Sequence, residues 1–226
     1  VEAFSSHTIK RPGGRRIRGA PSDWPLDGAS DPTEHDAPHR SSSAERWSLH
    51  AHVEDGEALR ATIFAGFHRI ALGDAAAPGD AAHAHLISWG ISDASRPHYD
   101  AWSLADAAAP RLALSALERG AGPRDERVCR AIREVCESGA LPSSDRIPPG
   151  AFHADPERLD LGCERATLRK ADGGSYELSL RAKRAVSCRL RFTPVSAPQR
   201  YGKRGVLNGW RGERLFHYFV PRCRVS

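Results

Sequence analysis

Two pairs of histidines in the 226-residue chain have spacing that could bind a metal. His50/His52 and His83/His85 are each His-x-His, and on a strand that spacing puts both imidazoles on one face. Two such pairs on neighbouring strands could offer four nitrogens to a metal. In "WSLHAHVE", however, Trp47, Leu49, Ala51 and Val53 alternate with Ser48, His50, His52 and Glu54. The histidines therefore lie opposite the apolar set and point to solvent. No carboxylate is placed by spacing to complete a metal shell. No metal and no cofactor are expected.

A second set of candidates is aromatic. Only 7% of residues are Phe, Trp or Tyr, yet they concentrate in the strand-like segments. Trp47, Phe64, Phe67, Trp89, Tyr99, Trp102, Tyr176 and Tyr218 could pack as core or line an apolar cavity with a few orienting polar groups. Asp93 and Asp100 flank the end of one such segment beside Tyr99 and Trp102. "SDASRP" also reads as a plain loop, in which aspartate does turn chemistry. No Ser-His-Asp elbow, phosphate-binding loop or dinucleotide glycine fingerprint is present.

The elements that must position these residues are mainly strands. The period-two run from Ala44 ends at Asp55-Gly56, a hairpin signal. "ALRATIFAGFHRIAL" returns as a central strand and "AHAHLISWGIS" follows as a third. In "PRDERVCRAIREVCESG" the period changes, with Val128, Ala131, Ile132, Val135 and Cys136 at helical spacing. Pro123, Asp125, Glu126 and Gly139 supply start and stop signals. A helical insertion near 111–139 is predicted, including a shorter helix near 111–119. "ERATLRKADGGSYELSLRA" reads as two strands about an Asp-Gly-Gly turn, with Tyr176, Leu178 and Leu180 facing in. "VSCRLRF" repeats the alternation, and "GERLFHYFVPRCRV" adds a strand aromatic on both faces. At least seven strands predict a mainly antiparallel β fold, a barrel or a sandwich, in residues 44–226. Residues 1–43 are rich in Pro, Gly, Ser and charge without a period, and predict an irregular arm or strap with Trp24 as an anchor.

Charge is uneven. The net charge is +5, with +4 over residues 1–20, +11 over residues 181–226 and −10 between. The arginines of the last segment alternate with apolar residues, as the solvent face of a half-buried strand requires, so no nucleic-acid partner is expected. No apolar run reaches the roughly 20 residues of a membrane helix. Without an apolar leader the expected location is cytoplasmic. The five cysteines are odd in number, lack a CxxC and read as reduced thiols.

Five segments in order carry a resemblance. They are "DPTEHDAPHRSSSAERWSLHAHVEDG", "HAHLISWGISD", "ESGALPSSDRI", "LDLGCERATLRKADGGSYELSLRA" and "LFHYFVPRCRVS". Over roughly residues 31–226 the chain resembles the hydroxyneurosporene synthase (carotenoid hydratase) and AttH-like family of lipocalin-type fold. Glu45 and Trp47 match its Glu-Trp-Trp-Tyr strand, while Arg46 and Ser48 stand where the family has aromatics. Asp145 and Arg146 match its Pro-Asp-Arg linker. The resemblance implies a lipocalin-like (calycin-type) first domain, with a second β domain following residue 226. It implies a pocket for a hydrophobic polyene, isoprenoid or polyketide molecule, lined by the aromatics above together with Arg222. It extends to hydration or cyclisation at a C=C bond in secondary metabolism. A hydratase needs an acid to protonate the alkene and aromatic faces to shield the cation. Asp93 and Asp100 are the acid candidates. A cyclase needs shape and one donor to polarise a carbonyl, for which Tyr218 or Arg222 would serve. The alternative is a non-catalytic lipid-binding or structural domain.

Overall fold

Alternation of apolar and polar residues becomes strand pairing from Ala44 onward. In a computed structural model, β2 (Ala44–Asp55) and β3 (Ala58–Ala71) form a long antiparallel hairpin, irregular only between Val53 and Glu54. The structure describes residues 3–9, 32–40, 42–55, 58–72, 83–95, 98–120, 122–142, 151–181, 187–201, 206–208 and 214–226. β4 (His83–Asp93) pairs with β3, and β5 (His98–Ala105) forms the edge beyond it. On the other side, β1 (Ala3–Ile9) lies between β2 and β13 (Arg214–Val220). β11 (Gln199–Arg200) and β12 (Val206–Asn208) both pair with β13, which completes an eight-stranded antiparallel sheet. The segment expected to be an irregular arm therefore begins with a central strand. Its composition lacks the alternation of a two-faced sheet, and pairing from both neighbours overrides that weak local signal. Trp24 lies outside the described residues.

The second sheet has six strands in the order β14-β10-β9-β8-β7-β6. They are β6 (His153–Ala154), β7 (Asp160–Cys163), β8 (Ala166–Lys170), β9 (Tyr176–Leu180), β10 (Cys188–Pro194) and β14 (Cys223–Val225). The Asp-Gly-Gly turn between β8 and β9 forms as expected, with Gly173 and Gly174 both at positive φ. Gly162, at φ +140°, lets β7 approach β8 so closely that an added Cβ would sit 2.1 Å from the Ala166 carbonyl oxygen.

One core joins the two sheets. From the first come Trp47, Leu49, Ile63, Phe67, Ile87 and Trp89; from the second come Leu161, Leu168, Leu178, Leu180, Leu190 and Phe192. Burying each such side chain fully stabilises the fold by about 1.5–3 kcal/mol. The expected inward face of β9 is as predicted, with Tyr176, Leu178 and Leu180 buried. Among the described residues no strand ladder joins the sheets into a closed barrel.

Two helices fill the interruption between the sheets, α1 (Ala109–Glu118) and α2 (Glu126–Glu137). The Asp125 side chain accepts from the Arg127 amide and caps α2, and Gly139 at φ +80° ends it. The apolar face expected of α2 is only partly covered. Cys136 is buried, but Val128 and Val135 stay exposed, because α2 packs chiefly on α1 rather than on a sheet.

Candidate functional site

Strand parity sorts the candidate residues. Odd-numbered residues of β2, β3 and β4 and even-numbered residues of β5 face the second sheet. Trp47, Phe67, Trp89, Trp102, Asp93 and Asp100 share this inner face. Tyr218, 3% exposed, and Tyr176 of the second sheet are buried with them. Trp89 and Trp102 stand opposite each other with ring centres 5.8 Å apart. The Trp89 indole N–H is buried and has no hydrogen-bond partner among the described residues.

The other candidates lie elsewhere. Phe64 is on the outer face, against the His50 ring. Tyr99 is 65% exposed on that same face and lies across Gly90, where an added Cβ would meet its hydroxyl at 2.4 Å. Arg222 is exposed between β13 and β14, its backbone bonded to Ser196. Asp93 accepts from both the amide and the hydroxyl of Ser95, which is turn chemistry at the end of β4. His50 and His52 are exposed, as parity requires. No group of three or more potential metal ligands forms among the described residues.

Two of the aromatic candidates use their polar atoms to hold one buried aspartate. Asp36 is 3% exposed, just past a single 3-10 turn (Pro32–His35). Its carbonyl accepts from the Trp47 indole at 2.9 Å, and its carboxylate from the Tyr176 hydroxyl at 2.8 Å. Lys170 completes the contact with Nζ 3.1 Å from the carboxylate, and also donates to the Thr33 carbonyl. The segment around Asp36 is thus tied to both sheets.

The inner face also carries charges outside the expected set. Glu45 stands opposite Arg69 on β3, and Arg69 opposite His85 on β4. The Glu45 carboxylate, fully buried, accepts from Arg69 at 2.6 Å and from the His39 amide at 2.7 Å. His39 Nδ1 lies 3.0 Å from the same carboxylate, and Arg69 also donates to the His39 carbonyl. At the next strand, His85 Nδ1 and its backbone amide both donate to Asp106, at 2.9 and 2.8 Å. The second Asp106 oxygen accepts the Ala108 and Ala109 amides at the start of α1. Glu45, Arg69 and His85 on three strands, and Asp106 just past the end of β5, therefore form a polar row. Burying such charges is tolerable only with full pairing. Parity alone could have found three of them, since Glu45, Arg69 and His85 fall in step with Trp47, Phe67 and Ile87.

Beside this row, a crevice of about 10 Å³ opens between Arg69, His85, Phe152 and Leu161. The His85 ring stacks on Phe152 at 6.0 Å, and its Nε2 is buried with no partner among the described residues. A larger depression of about 450 Å³ lies over the second sheet, where Thr167, Arg169, Ser179, Arg181 and Arg189 meet Glu164 and Glu177. On the outer face of the first sheet, burial and then the nearby Arg46 hold the His68 and His217 imidazoles below their ordinary pKa.

Against solved structures, the chain superposes on an AttH-like protein from Nitrosomonas europaea with a TM-score of 0.54 at 13% identity. The fold is AttH-like. The match covers 88% of this chain and 48% of the other, so the chain spans about half the length of that structure. No protein-family model and no curated protein matches. No helix among the described residues is long and apolar enough to cross a membrane.

Proposed function

We propose that this AttH-like domain binds a hydrophobic polyene, isoprenoid or polyketide molecule between its two sheets. The observation that carries the reading is the Trp89 indole N–H, buried on the inner face beside Trp102 with no acceptor among the described residues. An unsatisfied buried donor costs about 1–3 kcal/mol, which a carbonyl or hydroxyl of a ligand would offset. Catalysis in the style of the carotenoid hydratases follows as the finer proposal. Asp100, on the same face as both tryptophans, is the acid for a C=C bond, and the rings shield the developing cation. Cyclisation would draw instead on the Tyr218 hydroxyl. Asp93 is engaged by Ser95, and Phe64, Tyr99 and Arg222 lie off this face, so none of the four belongs to the proposal. A second β domain as partner and a cytoplasmic setting, in keeping with five free cysteines, complete it.

The second reading is a non-catalytic lipid-binding or structural domain. It is favoured by the close packing of Phe67, Leu178, Leu180 and Phe192, each 1% exposed or less, in the layer between the sheets.

Native mass spectrometry of protein from its own host, followed by solvent extraction, tests the two. A co-purifying polyene, isoprenoid or polyketide is expected. A clean apo mass, with no uptake of added carotenoid or fatty acid, would leave only the structural reading.

A further inference from the structure

We propose that His85 Nε2 is the polar anchor of the bound molecule, accepting a hydrogen bond from a hydroxyl at the end of an otherwise apolar ligand. This rests on the proposed binding of such a ligand between the sheets. The geometry of four groups supports it. The Asp106 carboxylate accepts from Nδ1 at 2.9 Å, so in the neutral imidazole Nδ1 carries the proton and Nε2 keeps its lone pair. Asp106 cannot turn away, because its other oxygen is held by the Ala108 and Ala109 amides. Asp106 is thus a positioning residue that fixes both the tautomer and the ring. The ring is clamped from one side by Phe152. Nε2 is buried and has no partner among the described residues.

The space beside His85 suits the assignment. The crevice of about 10 Å³ beside Arg69 and His85 has room for one water or one hydroxyl, not for a chain. Trp47, Phe67, Phe152 and Leu161 line it too, together with His68 and His153, so the carbon that bears the hydroxyl would meet mostly apolar surface. Nε2 offers only a lone pair, so a hydroxyl or N–H fits and an ether or ester oxygen does not. Specificity follows from the unpaired group that the wrong ligand would leave behind.

The test compares retinol with retinyl methyl ether, the same polyene with and without the O–H donor. Binding is read by fluorescence on the full chain and on His85→Phe, which keeps the ring against Phe152 and removes both nitrogens. Wild type is expected to bind retinol about tenfold more tightly than the ether, and His85→Phe to bind both alike. Equal binding of the two by wild type overturns the anchor and leaves ligand binding standing. Failure to bind either overturns both. Should His85→Phe not fold, nitrogen-15 NMR of the wild-type imidazole decides the matter. Retinol must move the Nε2 resonance while Nδ1 stays protonated, and the ether must not. A silent Nε2 with retinol bound sinks the assignment.

Discussion

On the first sheet, Glu45, Arg69 and His85 sit among the tryptophans of the buried face. On the second, Leu168, Leu178, Leu180 and Phe192 fill that face while Arg169, Glu177, Arg189 and Arg191 turn outward. Both sheets are antiparallel and both line the same core. Packing alone would be served by the second pattern, since apolar residues can replace a buried ion pair at little cost or with a gain. The first pattern costs desolvation and leaves Trp89 Nε1 and His85 Nε2 without partners among the described residues. The lesson is one of contrast: both sheets supply the apolar core, and the first also buries a row of polar groups.

The sharpest way to break this comparison is to remove one charge from the row. Glu45→Ala leaves Arg69 buried without its carboxylate and is expected to cost about 3–5 kcal/mol by denaturant unfolding. A loss below about 1 kcal/mol would show the row to be well hydrated and the contrast false. Leu178→Ala on the other sheet is expected to cost about 3 kcal/mol through the cavity it leaves. Trp89→Phe sharpens the contrast from the opposite direction. It removes an unpaired donor, so the apo protein should hold or gain up to about 1 kcal/mol while ligand affinity falls. A loss of stability with affinity unchanged would move Trp89 to the structural side. Arg191→Ala, which breaks the exposed pair with Glu177, should change stability by less than about 0.5 kcal/mol.

The outer face of the first sheet adds a pH dependence of its own through two histidines. His68 and His217 are held below the ordinary value of 6.5, first by burial and then by Arg46. Below pH 6.5 the unfolded chain takes up protons that the folded chain refuses, so stability should fall as pH drops toward the lowered folded values. Arg46→Gln should flatten that slope only in part, because burial remains. An unchanged slope would remove Arg46 from the account.

Much of the fold was legible where one face of a strand is buried. The alternations around Trp47, Tyr176 and Phe192 mark real strands with the expected inner faces. The Asp-Gly-Gly turn formed because two residues there must adopt positive φ. β1 was not legible, since its pairing depends on β2 and β13 rather than on its own pattern. Less of the candidate site was legible. Trp89, Trp102 and Asp100 share a face only through the register of β4 on β5, which alternation alone does not reveal, and Phe64 and Tyr99 fall on the opposite face. Asp36 and His39 carry no periodic signal, and only tertiary contacts bury them. His85 was weighed only as half of a His-x-His pair, while its real partner, Asp106, lies beyond the next strand.

The position of β1 has a consequence in time. It lies between β2 and β13, and roughly 200 residues of chain separate it from β13. At about 5–20 residues per second, β1 leaves the ribosome about 10–40 s before that partner. Until then one of its edges is open, with unpaired amides and carbonyls that invite pairing with another chain. The first sheet can be completed only after nearly all of this chain has emerged, which makes the nascent protein a natural client for a chaperone that shields strand edges.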